Sequence, residues 1–106
     1  VSEEDSFIER RRHPRMSTAI GGLVRTSLGA RAPVEICELS ESGFSVTTDR
    51  GPVPRASGYS VKIDGLETLE TTLRWRGNDE AGFEFARPLH PAVVDHLAAK
   101  HPPKRG

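Results

Sequence analysis

Apolar and polar positions alternate most clearly over residues 69–76, with Leu69, Thr71, Leu73 and Trp75 on one face and Glu70, Thr72, Arg74 and Arg76 on the other. Successive side chains of a strand point to opposite faces, so this pattern predicts a half-buried antiparallel strand. Runs at 18–27, 34–40, 44–48, 59–64 and 82–86 read the same way, the last setting Phe83 and Phe85 against Gly82, Glu84 and Ala86. Six short strands in so small a chain predict a mainly-β fold closed into an antiparallel barrel.

Two local irregularities refine that picture. In the run 34–40 the apolar set is Val34, Ile36 and then Leu39, a slip of one residue in the inward phase. A β-bulge is the usual device for such a slip, and here it re-aims Glu38 or Ser40. The link Glu41-Ser42-Gly43 suits a three-residue hairpin loop, with glycine at a positive-φ position. Near the C-terminus, Pro91 suits a first helical residue, Val93, Val94, Leu97 and Ala98 form an apolar stripe, and Pro102-Pro103 end the pattern. One short helix is expected to pack on the barrel.

The 106 residues make one domain, with 15 basic residues balanced by 15 acidic ones. A field able to coat a long polyanion is therefore absent, and an anion site must be local. Residues 1–9 and 101–106 are read as flexible tails around a domain at 10–100, because their polar or Pro-rich composition buries little apolar surface. A single cysteine, Cys37, forms no intrachain disulfide, and a reducing cytoplasm is the default location. No apolar run has the length of a membrane span. His13, His90, His96 and His101 show no metal-ligand spacing, so neither a metal nor a cofactor is assigned. No Ser-His-acid order, phosphate loop or dinucleotide fingerprint is visible, which argues against an enzyme.

The remaining chemistry lies in two segments. Arg10, Arg11, Arg12 and Arg15 cluster guanidinium groups, whose planar forks suit bidentate contact with phosphate and with guanine O6/N7. Pro14 biases His13 toward extended chain, which puts positions 11 and 15 on one side. The alternative is a solvated basic run paired with Glu3, Glu4, Asp5 and Glu9. The second segment is Glu38-Leu39-Ser40-Glu41-Ser42-Gly43. A carboxylate at Glu38 can accept the adjacent N1–H and N2–H₂ donors of guanine. It also has the option of pairing across the strand with Arg74 or Arg76, and Ser40 has that of bonding nearby turn backbone. Trp75 reads as a core or barrel-rim residue, with base stacking as the other possibility.

Arg11-x-x-x-Arg15 followed by Glu38-x-Ser40-x-x-Gly43 resembles the paired signatures of the PilZ domain family, Arg-x-x-x-Arg and Asp/Asn-x-Ser-x-x-Gly. Leu73-Arg74-Trp75 and Gly82-Phe83-Glu84-Phe85 look like further family segments, and the likeness covers most of residues 10–98. It implies a six-stranded antiparallel PilZ-type barrel with a short C-terminal helix, serving as a bacterial receptor domain for cyclic di-GMP. It also implies that Arg11 and Arg15 take phosphate and guanine, that Arg12 assists, that Ser40 contacts the ligand and that Gly43 allows close backbone approach. Glu38 departs from the pattern by one methylene, at an expected cost of about 1–3 kcal/mol of binding. Two other readings follow: a divergent adaptor acting through protein contacts with weak or no nucleotide binding, and a weaker one of nucleic-acid binding through Arg10–Arg15, against which the zero net charge counts. Either signalling reading calls for a downstream protein partner.

Overall fold

The computed structural model describes residues 14–103. Arg11, Arg12 and His13, and the readings of 1–9 and 104–106 as tails, lie outside the described residues. Six strands follow in order: β1 (Met16–Thr26), β2 (Arg31–Leu39), β3 (Gly43–Thr47), β4 (Tyr59–Ile63), β5 (Thr68–Arg76) and β6 (Glu80–Phe85). They form a closed barrel in the order β1-β2-β3-β6-β5-β4, and every neighbouring pair is antiparallel. Closure leaves no long edge strand to pair with another chain.

The inward positions build one core. Ile20, Ile36, Leu39, Val46, Val61 and Ile63 are fully buried. Phe44 stacks on Phe83 with ring centroids 5.1 Å apart, and Tyr59 meets Phe83 edge-on at 5.5 Å. Tyr59 keeps its hydroxyl satisfied by donating to the Pro54 carbonyl at 2.7 Å and accepting from the Ala56 N–H at 2.8 Å. That pair of bonds ties the 48–58 connection to the barrel, and Val53 from this connection is buried in the core.

Helix α1 (Pro91–Lys100) follows β6 and buries Val94 and Leu97. Its N-terminus is capped by His90, whose Nδ1 accepts from the Ala92 N–H at 3.0 Å. His101, assigned to the C-terminal tail from composition, is part of the domain. Its N–H donates to the Leu97 carbonyl at 2.9 Å, and its carbonyl accepts from the Ala19 N–H at 3.0 Å. The helix end thereby supplies a backbone partner where β1 bulges away from β2 between Ser17 and Ile20.

Two expectations need correction. Gly43 is not among the glycines at positive φ, which are Gly29, Gly51 and Gly65. Its requirement is close approach between strands, because a Cβ at Gly43 would lie 2.2 Å from the Phe83 carbonyl oxygen of β6. Trp75 does not continue the inward series Leu69, Thr71, Leu73. The register between β5 and β6 shifts between Leu73 and Trp75, which turns Trp75 outward and leaves it 46% exposed. Arg76 is turned the other way, its Nε donating to the Val53 carbonyl at 2.5 Å.

Candidate functional site

The slip read between Ile36 and Leu39 is a bulge: opposite β3, the register shifts between Ile36 and Glu38, with Cys37 the extra residue. Buried Thr18 donates its hydroxyl to the Ile36 carbonyl at 2.7 Å beside this irregularity. Without the extra residue, strict alternation after Val34 and Ile36 would carry Glu38 into the core. The bulge sends Leu39 inward and leaves the Glu38 side chain 44% exposed.

Strand pairing then assembles a lateral row on the barrel exterior. Ser17 of β1 pairs with Glu38 of β2, Glu38 with Ser45 of β3, Ser45 with Gly82 of β6, and Gly82 with Trp75 of β5. Residues paired directly across neighbouring strands project from the same face. Ser45 donates its hydroxyl to Glu38 Oε1 at 3.3 Å. At the far end of the row the indole of Trp75 lies across Gly82, so that a Cβ there would be 2.1 Å from Trp75 Nε1. A carboxylate and an aromatic plane therefore share one outer face because two strands each carry an extra residue.

Arg15 precedes β1 and reaches the same row. Its guanidinium stands 3.4 Å from Glu38 Oε1, with the Arg15 side chain 74% exposed. Glu38 thus has its cationic partner in the linker, while Arg74 pairs with Glu84 at 3.5 Å on the outer surface. A long, exposed pair of this kind contributes about 0–1 kcal/mol. Both described contacts to Glu38 fall on Oε1.

Ser40 and Gly43 shape the adjoining turn. Ser40 is buried, its N–H donates to the Gly43 carbonyl at 2.9 Å, and its Oγ accepts from the Gly43 N–H at 3.2 Å. The serine hydroxyl takes the place of a backbone acceptor and holds the turn. The turn is anchored further by Phe85 N–H on the Ser42 carbonyl and Leu89 N–H on the Glu41 carbonyl, each at 2.8 Å. The structure thus brings Arg15 and Glu38 into contact, while Ser40 and Gly43 close the turn that follows β2. Arg11 and Arg12 lie outside the described residues.

The sequence reading left Trp75 and Ser45 out of the site. A signal for Trp75 was present in the arginines that flank it on both sides. Cys37, the extra residue of the bulge, is half-buried with its Sγ 3.5 Å from the Ser45 carbonyl and hydroxyl.

Comparison with known proteins bears on the barrel and its motifs together. No curated protein matches the chain. Among solved structures, it is similar to the PilZ domain with c-di-GMP of YcgR from Escherichia coli, with a TM-score of 0.56 and 13% sequence identity. That match covers 83% of this chain and 86% of the other. At this identity the likeness establishes the fold. The model of the PilZ domain family matches residues 9–100, spanning the arginine run, the bulged strand, the turn and the helix. The chain therefore belongs to the PilZ domain family.

Proposed function

We propose that this domain is a non-catalytic, cytoplasmic receptor for cyclic di-GMP that signals to a protein partner. The observation that carries the reading is the outward row of Glu38, Ser45 and Trp75, with Arg15 standing 3.4 Å from Glu38 at its edge. Each member suits one part of a guanosine phosphate. The Glu38 carboxylate accepts from guanine N1–H and N2–H₂, the Arg15 fork suits O6/N7 or a phosphate oxygen, and the Trp75 plane suits stacking. Arg11 and Arg12 are assigned to the phosphates by their place in the family signature. A zero net charge favours such a local contact over a long nucleic acid.

Engaging guanine through both oxygens of Glu38 requires Arg15 to leave Oε1 and turn to the ligand. The weakness of the exposed pair makes that exchange inexpensive. The extra methylene of Glu38 lets it reach Arg15 but displaces the carboxylate from the position an aspartate would take. In calorimetric titration with cyclic di-GMP at physiological salt, the unaltered domain is expected to bind saturably. Arg15→Ala should weaken binding at least about tenfold, and Glu38→Asp should tighten it by about tenfold. Absence of binding in the unaltered domain and in Glu38→Asp alike would reject the receptor. The domain would then be an adaptor, a reading favoured by the engagement of Glu38 with the chain's own arginine.

Trp75 supplies an independent readout. Its fluorescence should change saturably with cyclic di-GMP, and Trp75→Ala should cost about 1–3 kcal/mol of binding, as loss of a stacked base does. Gly82→Ala should weaken binding in the same direction, because the new methyl occupies the place of the indole. Fluorescence that is unchanged at saturation of the calorimetric signal would place Trp75 outside the ligand's reach.

A further inference from the structure

The hairpin tip between β1 and β2 holds a leucine out in water on a fixed base. Leu28 is 81% exposed. The Thr26 hydroxyl accepts from the Leu28 N–H at 3.3 Å and from the Ala30 N–H at 3.0 Å, and the Thr26 carbonyl accepts from the Gly29 N–H at 3.0 Å. Gly29, at φ +93, supplies the left-handed residue of the turn. Ser27 ties the tip to the connection that follows β3, its N–H donating to the Gly58 carbonyl at 2.9 Å and its hydroxyl standing 3.3 Å from that of Ser57. An apolar side chain presented by a preorganised turn loses little backbone freedom on meeting a partner.

This end of the barrel is one-sided in charge, although the chain as a whole is neutral. Residues 20–34 and 50–63 are brought together by the pairing of β1 with β4 and by the Ser27 bond. They contain no aspartate or glutamate and carry Arg25, Arg31, Arg50, Arg55 and Lys62. Lys62 donates to the Leu66 carbonyl, away from the tip. The four arginines are exposed, and among the described residues none has an ion-pair partner. Arg25 and Arg31 pair directly across the two strands, each three residues from Leu28. Like charges so placed repel, and an anion lying over them relieves the repulsion. The first carboxylate along this row is Glu70, opposite Ser60, whose other neighbour is Arg25.

We propose that the tip docks on the surface of an anionic lipid bilayer, with Leu28 entering the boundary between headgroups and acyl chains and Arg25, Arg31 and Arg55 meeting headgroup phosphates. Two features select a bilayer among anionic partners. A nucleic acid offers no apolar layer to Leu28. A protein interface of ordinary size buries about 800 Å² a side around an apolar core. Here one leucine stands on a cationic ground, the pattern of segments that lie in a membrane interface. The tip is at the opposite end of β1 from Ser17, so docking leaves the Glu38 row clear of the bilayer.

Cosedimentation of the whole domain with vesicles tests the proposal, using an equal mixture of phosphatidylglycerol and phosphatidylcholine against phosphatidylcholine alone. Saturable binding to the mixed vesicles is expected, falling with added salt and about tenfold or more weaker without the anionic lipid. Arg25→Gln combined with Arg31→Gln should weaken binding about tenfold or more. Arg87→Gln combined with Lys100→Gln removes the same charge at exposed positions away from the tip and should change binding less than about twofold. Leu28→Ser should weaken it about threefold or more, and Leu28→Trp should retain it, because indole suits the headgroup level. Equal loss in the two double variants, or full binding by Leu28→Ser, would overturn the proposal. So would failure to bind the mixed vesicles, which would leave an acidic protein as the partner of this surface. None of these outcomes depends on nucleotide binding at the Glu38 row.

Discussion

Replacing Phe83 by alanine is expected to remove about 3–5 kcal/mol of stability, the range for truncating a buried aromatic side chain. Phe83 is only 4% exposed and lies between the rings of Phe44 and Tyr59. The change leaves a cavity that backbone strands on all sides of a closed barrel cannot collapse to fill. Chemical denaturation should show a lower midpoint, since the cost approaches the whole stability of an ordinary small domain. A loss below about 1 kcal/mol would mean that the barrel repacks freely around the site, contrary to the close packing described.

Gly43→Ala is the second large effect, and it links stability to the candidate site. A methyl at this position would stand 2.2 Å from the Phe83 carbonyl oxygen and 3.2 Å from the Glu84 Cα, so β3 and β6 have to separate. Overpacking typically costs about 1–3 kcal/mol, and the upper end is expected here because the obstacle is backbone rather than a side chain that can rotate. Thermal unfolding should fall by roughly 10 °C or more, taking several degrees per kcal/mol for a domain of this size. The same displacement moves the turn that Ser40 closes, so the proposed binding of cyclic di-GMP should weaken as well. An unchanged melting temperature would show that strand separation at Gly43 is already tolerated.

The barrel was legible because most of its strands carry stretches of period-two alternation and turn residues lie between them. The bulge in β2 was legible for the same reason: the phase slip from Ile36 to Leu39 has one inexpensive structural solution. The matching bulge in β5 left no such trace. Leu69, Thr71, Leu73 and Trp75 alternate without interruption in the sequence, and the extra residue exists only relative to the β6 partner strand. The pattern therefore assigns Trp75 to the core or the barrel rim, although it lies on the outer face over Gly82. Gly43 was correctly picked out as a glycine position but for the wrong reason, since a turn signal does not reveal how closely β6 approaches.

The sequence by itself determined the number of the strands and their places along the chain, the closing helix, the family motifs and the guanidinium and carboxylate chemistry near the N-terminal half. These follow from local periodicity, backbone preferences and side-chain type, which neighbouring residues specify. Tertiary structure alone decided that Glu38 meets Arg15 rather than Arg74 or Arg76, that Ser40 spends its hydroxyl on the Gly43 backbone, and that Trp75 joins the row of Glu38. The first and the last of these depend on register between strands that are separate in the chain, whereas the Ser40 bond is local and chose between two uses of the same hydroxyl. A shift of one residue in that register reverses the face of every side chain that follows, so composition and spacing within one strand cannot fix it.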